Sequence, residues 1–291
     1  MNFKTRDKTL KIRLSVNPDS TANVTLPANK SEQLRALLFA LMAEGSSTLH
    51  NLSYTKDFKT FLLFCDNCNI PYSFTSPSSL VLKGTHGQIP IANSTIDVKN
   101  SGILLRFLTP LMALSHRTTK FTGDSSITSL RPMSEQIQAL IRLGCKTEYK
   151  EHTGYAPFTI QGPYTKHTTY IYAHDSQHLS GLIFAACFRN TRSTINIEQL
   201  CEHPYVFMTL EWLDRLGIGY DLTPWSSITL NGSSHFHGFN YTLSRDLGAA
   251  LFLIAHALIH QQALILTDIY LDTSHPEREV LMHLQNMGAA V

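Results

Sequence analysis

Charged side chains are scarce in this chain. They make up 16% of its 291 residues, and the two signs nearly cancel to a formal net charge of +2. So little charge excludes a disordered polyelectrolyte. The near-neutral balance excludes the basic stripe of a nucleic-acid-binding surface. Long hydrophobic runs are missing too. No apolar stretch approaches the roughly 20 residues of a membrane-spanning helix, and Met1–Asp7 lacks the apolar core of a signal peptide. Cysteine is sparse and odd in number, five in all, which reads as reduced thiols rather than a disulfide framework. The expectation is a cytoplasmic protein that partners neither nucleic acid nor membrane. Apolar residues, by contrast, reach 43%, enough to bury a large core.

The strongest pattern is a repeat. A polar or small cluster runs straight into an apolar helix at Lys30-Ser31, Asn100-Ser101-Gly102, Ser176-Gln177 and Asp246-Leu247, about seventy residues apart each time. Long-period repetition means one structural unit used again. A second marker keeps the same period. Three helices are read to end at Gly144, Gly217 and Gly288, where glycine supplies a left-handed C-cap, and Asn69 holds that place in the first copy. This register puts Cys65 and Cys68 at core positions, so a metal set of these cysteines with His235 and His237 is set aside and no metal is expected.

Strands are expected at Leu10–Val16, Ala22–Leu26, Thr48–Leu52, Leu80–Lys83, Ser94–Val98, Thr118–Thr122, Thr194–Ile197 and Leu264–Leu266. Helices are expected over Ser31–Glu44 and from Asp57 to Asn67, and Gly162–Thr165 and Trp225–Gly238 read as hairpin loops. The unit is β-α-β-α-β-β, an α/β architecture with helices covering sheets.

Helix starts also carry chemistry, because free N–H groups and a partial positive charge suit phosphates and carboxylates. Lys30 and Arg35 add two cations to one such start. Gly102 lets a ligand approach the backbone of the next. Pro132 fits a first helical position and sets Arg131 at a helix mouth, where a guanidinium can grip an anion by two bonds. The alternative for Arg131 is a surface arginine paired with Glu135 or Asp124. At the later starts, Asp175 or Ser176 can serve as plain N-caps, and Pro204 as an N1 proline.

On these residues the chain resembles the opening two-thirds of EPSP synthase, the 3-phosphoshikimate 1-carboxyvinyltransferase family. Lys30-Ser31 with Arg35, Asn100-x-Gly102 with Arg106, Thr122-Gly123-Asp124 with Arg131-Pro132, Ser176-Gln177 and Pro204-Tyr205 follow the family's order and spacing. The resemblance implies two domains of three units each, with helix starts pointing into the cleft between them. It makes 25–240 the complete domain that binds shikimate 3-phosphate, and 1–24 with 241–291 an incomplete second domain. It implies transfer of the enolpyruvyl group of phosphoenolpyruvate to the 5-hydroxyl of shikimate 3-phosphate, without metal or organic cofactor, by a protein that is monomeric at full length.

Residue by residue, the resemblance makes Lys30 and Gln177 catalytic. It places shikimate 3-phosphate on Lys30, Ser31, Arg35, Asp175, Ser176, Gln177, Glu202 and Tyr205, and phosphoenolpyruvate on Lys30, Asn100, Gly102, Arg131 and Gln177. Some positions depart from the family. Asp175 and Glu202 stand where it usually has phosphate-binding serines, Ile103 replaces a threonine and Phe107 a proline. The two acids leave open transfer to a different alcohol. The family's catalytic aspartate belongs to the part this chain does not span. The chain is therefore expected to be truncated and inactive alone, the alternative being a non-catalytic shikimate-phosphate-binding remnant, with Leu251, Leu253, Ile254, Leu258 and Leu264 as its exposed apolar set.

Overall fold

The computed structural model describes residues 21–90, 95–270, 275 and 277–289. The strand expected at Leu10–Val16 lies outside them. The chain opens with β1 (Thr21–Val24), α1 (Lys30–Met42), β2 (Ser46–His50), α2 (Lys56–Asn67), β3 (Tyr72–Ser76) and β4 (Ser79–Lys83). A second unit follows as β5 (Thr95–Asp97), α3 (Gly102–Met112), β6 (Thr119–Thr122), α4 (Ser125–Ser129), α5 (Ser134–Arg142), β7 (Lys146–Tyr149) and β8 (Phe158–Gln161). A third runs β9 (Thr168–Ala173), α6 (Ser176–Cys187), β10 (Ser193–Leu200), α7 (His203–Leu216), β11 (Tyr220–Thr223) and β12 (Ser227–Leu230). Then come β13 (Asn240–Thr242), α8 (Leu247–His260), β14 (Ala263–Leu266) and α9 (Arg278–Asn286).

Three four-stranded sheets share one topology: β5-β6-β8-β7, β9-β10-β12-β11 and β13-β2-β4-β3. In each, a parallel pair is extended by two antiparallel neighbours. The third unit thus shows the β-α-β-α-β-β order expected from the repeat, and the second shows it with the short helix α4 added.

The first unit differs. Its parallel strand is β13, whose Tyr241 stands opposite Leu49. Strand β1, which precedes α1 in the chain, pairs in parallel with β14, Thr21 opposite Ala263. The two strands are exchanged between neighbouring units, and the crossing segments are bonded to each other. Asn29 N donates to Ser244 O (2.9 Å) and Asp246 N to Pro27 O (2.8 Å), so backbone groups that leave their own unit are still satisfied.

Helices α1, α3 and α6 are apolar on nearly every face and are buried on nearly every face, as such sequences must be. Helices α3 and α6 approach closely at Gly181. A Cβ on Gly181 would stand 2.1 Å from the carbonyl oxygen of Arg106, so only glycine fits. Gln136 Nε2 bridges the same pair, donating to Arg106 O (2.7 Å) and His178 O (3.0 Å). One large core joins the three sheets. A smaller one gathers Leu26, Leu247, Ile254, Leu264, Leu266 and Leu281 around β1, β14, α8 and α9.

The helix stops follow the repeat. Asn69, Gly144, Gly217 and Gly288 have φ of +54°, +100°, +69° and +95°. Other expectations are corrected. Helix α1 begins at Lys30 and ends at Met42, because Asn29 caps it one residue earlier than read. Strand β3 was not foreseen, since its outward residues carry little apolar signal. Gly162–Thr165 links two different sheets instead of closing a hairpin, and Trp225–Gly238 contains β12. Helix α5 starts at Ser134, so Pro132 lies before the helix and not at its first position. Pro204 is the second residue of α7, not the first. Ile254 and Leu264 are buried and Leu251, Leu253 and Leu258 half-buried, while Phe252 and Ile259 of α8 are exposed.

Candidate active site

The starts of α1, α3, α6 and α7 converge on one cavity of about 270 Å³. Lys30, Ser31, Arg35, Asn100, Gly102, Arg131, Ser176, Gln177, Glu202 and Tyr205 line it, together with Asp57, Ile103 and Arg106. Every sequence-derived candidate except Asp175 is therefore in the wall. Asp175 stands just behind, its carboxylate 3.1 Å from Arg106 Nη2. Asp57 and the role of Arg106 were not foreseen. The Asn-x-Gly…Arg pattern contained Arg106, but its partner lies in another repeat.

Each helix start is built locally. Asn29 Oδ1 accepts from Glu32 N at 2.9 Å and Asp175 Oδ1 from Gln177 N at 2.9 Å. Of Asn100 and Ser101, the serine is the cap of α3, its Oγ accepting from Leu104 N at 3.3 Å. It also donates to Asp57 Oδ1. Asn100 Nδ2 donates to Asp124 Oδ2 at 2.6 Å. Glu202 precedes α7 in a left-handed conformation, φ +55°, and makes no cap bond to that helix. Its Oε2 instead accepts from Ser176 Oγ (2.9 Å) and Ser176 N (3.3 Å).

The four cations differ in how far they are committed. Arg35 is 1% exposed. It donates from Nε to Thr209 Oγ1 (2.8 Å), from Nη1 to Ser31 O (3.0 Å), and from Nη2 to Tyr205 O (2.9 Å) and Ser180 Oγ (3.3 Å). It braces α1 against α6 and α7 and has one N–H left for the cavity. Burial pulls its pKa down to about 10, which keeps it cationic at neutral pH. Arg106 is buried as well, which lowers its pKa, while Asp175 acts in the opposite sense. Its Nη1 lies 3.2 Å from Gln177 Oε1.

Lys30 is half-exposed, its Nζ 3.8 Å from Asp57 Oδ2. Arg131 is exposed, and no carboxylate pairs with it among the described residues. Glu135 faces His174 and His178 instead, and Asp124 faces Asn100. Arg131 stacks its stem near the α3 start, where a Cβ on Gly102 would meet its Cδ at 3.6 Å and Nε at 3.7 Å. Chemically, the α3 side of the cavity offers a helix start, a free guanidinium and an ammonium to an anion. The α6 side already holds carboxylates.

His235 and His237 both face Glu44, at 3.1 and 3.4 Å, while Cys65 lies in the core.

The sequence matches the family described as EPSP synthase (3-phosphoshikimate 1-carboxyvinyltransferase) over residues 17–291. It is 29% identical over 280 residues to the 3-phosphoshikimate 1-carboxyvinyltransferase of Chlamydia caviae, covering 95% of this chain and 62% of that protein. The enzyme of the same name from Methanosphaera stadtmanae is 31% identical over 276 residues, covering 92% and 64%. Among solved structures, an EPSP synthase from Acinetobacter baumannii superposes with a TM-score of 0.80 at 19% identity, over 96% of this chain and 61% of that one. The chain thus spans somewhat under two-thirds of the length of these relatives.

Proposed function

The chain belongs to the EPSP synthase (3-phosphoshikimate 1-carboxyvinyltransferase) family, and from that premise we propose that its cavity binds phosphoenolpyruvate and shikimate 3-phosphate for enolpyruvyl transfer to the 5-hydroxyl of the latter. The reaction is an addition followed by an elimination. The acceptor hydroxyl gives up its proton as its oxygen bonds to C2 of phosphoenolpyruvate, and the C2–C3 double bond is consumed as C3 takes up a proton. The C2–O bond to phosphate then breaks and C3 returns a proton. Both ligands are anions, so fixed donors and cations in a closed cleft supply the rate by positioning and electrostatic stabilisation.

One observation carries the reading: an unpaired Arg131, the Gly102 start of α3 and the Lys30 ammonium share a single cavity wall with Gln177. In this reading Arg131, Gly102 and Asn100 hold phosphoenolpyruvate, and Arg131 takes its phosphate. Lys30 reaches both ligands and assists proton transfer. Ser31, Arg35, Ser176, Gln177 and Tyr205 hold the acceptor ring. Residues 25–240 form the acceptor-binding domain in this reading, with 1–24 and 241–291 belonging to a second; the presence of two cores supports a division of this kind, with Tyr241 and Leu243 packed in the larger core and Leu26 in the smaller. The working protein is a cytoplasmic monomer.

The test is calorimetric binding of phosphoenolpyruvate to the chain and to Arg131→Ala and Lys30→Ala. Losing a charge-assisted contact weakens binding by about 1.5–3 kcal/mol. Unchanged affinity in both variants, with wild-type melting, refutes the assignment. A second reading, transfer to a different alcohol, is favoured by the placement of Glu202 on Ser176.

A further inference from the structure

We infer that Glu202 makes the acceptor end of the cavity select a group that donates hydrogen bonds, a neutral hydroxyl or an ammonium, in place of a phosphate. The inference rests on the transferase reading above in its second form, transfer to an alcohol other than shikimate 3-phosphate, and names the acceptor class for it.

The first turn of α6 is where an anion would ordinarily sit, on free N–H groups and the positive end of the helix. In this chain that place is taken. Glu202 Oε2 lies 2.9 Å from Ser176 Oγ and 3.3 Å from Ser176 N. Asp175 Oδ1 takes the next N–H, that of Gln177, at 2.9 Å. The neighbouring cations are committed as well. Arg106 faces Asp175 at 3.1 Å and Gln177 at 3.2 Å. Arg35 spends four of its five N–H donors on Ser31, Ser180, Tyr205 and Thr209. A phosphate brought to this corner meets a carboxylate already seated on its donors, and like charges at such range oppose each other's ionisation and binding.

The contact is placed by the backbone. Glu202 occupies the left-handed region, φ +55° and ψ +45°, which a side chain beyond glycine adopts at a cost. It makes no side-chain cap bond to α7. Its carboxylate crosses to α6 and stays exposed to the cavity. The opposite end carries Arg131 and Lys30 beside the α3 start. The cavity is therefore polarised, with an anion seat at the α3 end and an acid at the α6 end. A ligand that satisfies both presents its anion to Arg131 and a donor to Glu202.

The test compares the same ring with and without its phosphate, shikimate 3-phosphate against shikimate, by calorimetry on the 291-residue chain and on two variants. Glu202→Gln removes the charge at nearly constant shape. Glu202→Asn removes it with a residue that tolerates left-handed backbone, so a folded variant is secured. In the unaltered chain shikimate should bind at least as tightly as its phosphate ester. In either variant the ratio should shift toward the phosphate ester by roughly tenfold or more, as a like-charge contact is replaced by charge-assisted bonds to Ser176. A ratio that stays the same in both variants, or an unaltered chain that already favours the phosphate ester, overturns the inference while leaving the transferase reading intact. Failure of phosphoenolpyruvate and both rings to bind overturns the transferase reading itself, and the inference with it.

Discussion

Replacing Gly181 with alanine should destabilise the protein, although alanine is the better helix former. In a helix interior the exchange is worth about 1 kcal/mol in alanine's favour. At Gly181 the added methyl would stand 2.1 Å from Arg106 O, 2.9 Å from its carbonyl carbon and 2.9 Å from Gln136 Nε2. Two of those atoms are backbone and cannot rotate away, so α3 and α6 must part. Overpacking of this kind costs about 1–3 kcal/mol. Separation also breaks the two buried bonds of Gln136 Nε2, each worth about 1 kcal/mol. The net is a loss of roughly 2–4 kcal/mol, or about 5–15 °C in Tm for a body of this size. Because α3 and α6 carry Arg106 and Gln177 into the cavity, phosphoenolpyruvate affinity should fall as well. Scanning calorimetry measures the first effect and titration the second. The control is Gly219→Ala, whose Cβ would meet only Asn231 Nδ2, at an ordinary 3.5 Å. It should stay within about 0.5 kcal/mol of the parent. A Gly181→Ala protein that melts at or above the parent Tm refutes the argument.

Other outcomes follow from single contacts. Asp175→Ala deletes the partner of the 2%-exposed Arg106 side chain. Stranding a buried charge costs about 3–5 kcal/mol, so urea unfolding should shift strongly, and a loss below 1 kcal/mol in the same experiment contradicts the pairing. Burial raises the thiols of Cys65, Cys68, Cys145 and Cys187, Cys68 and Cys145 to about 12. A raised folded pKa keeps these thiols protonated, so their contribution to stability is present below the unfolded value near 9 and lost as pH rises from there toward 12. The urea midpoint should therefore decline across that window. A thiolate reagent at pH 8.5 should label the part-exposed Cys201 and Cys68 before the buried Cys65, Cys145 and Cys187, and equal labelling rates in the folded protein count against the placement of the core. Mutating Trp212 to Ala, which removes a 2%-exposed ring stacked on Phe39 at 5.7 Å, should cost about 3–5 kcal/mol, measurable by the same urea titration.

What could be read ahead of the structure was local. Caps and stops are set by a few adjacent residues, so Asn69, Gly144, Gly217 and Gly288 show the left-handed backbone that the repeat implies. The candidate wall was legible because its members sit at those same helix starts. Pairings across repeats were not. Arg106 and Asp175 lie in different units, and nothing in either segment marks the other as its partner. Glu202 illustrates the limit: its charge was evident, but its seat on Ser176 depends on an unusual φ. The place of β13 beside β2 was hidden because β1 and β13 both precede apolar helices and read alike. The apolar set of α8 was misassigned because the helix is apolar on several faces, and only packing decides that Ile254 turns in while Phe252 turns out.

The pairing of β1 with β14 has a consequence for the order of events at the ribosome. Thr21 is made early, and its partner Ala263 emerges 242 residues later. At about 5–20 residues per second, β1 waits roughly 12–50 seconds for a neighbour. During that time the three sheets of the larger core can close in turn, each from segments nearby in the chain, except that β2 must wait almost as long for β13. The two late strands arrive within one stretch of about two dozen residues. A single burst of synthesis therefore supplies the missing neighbour of both β1 and β2, and until then the β1 edge is open to any passing strand, a window in which a chaperone or a second nascent chain can compete.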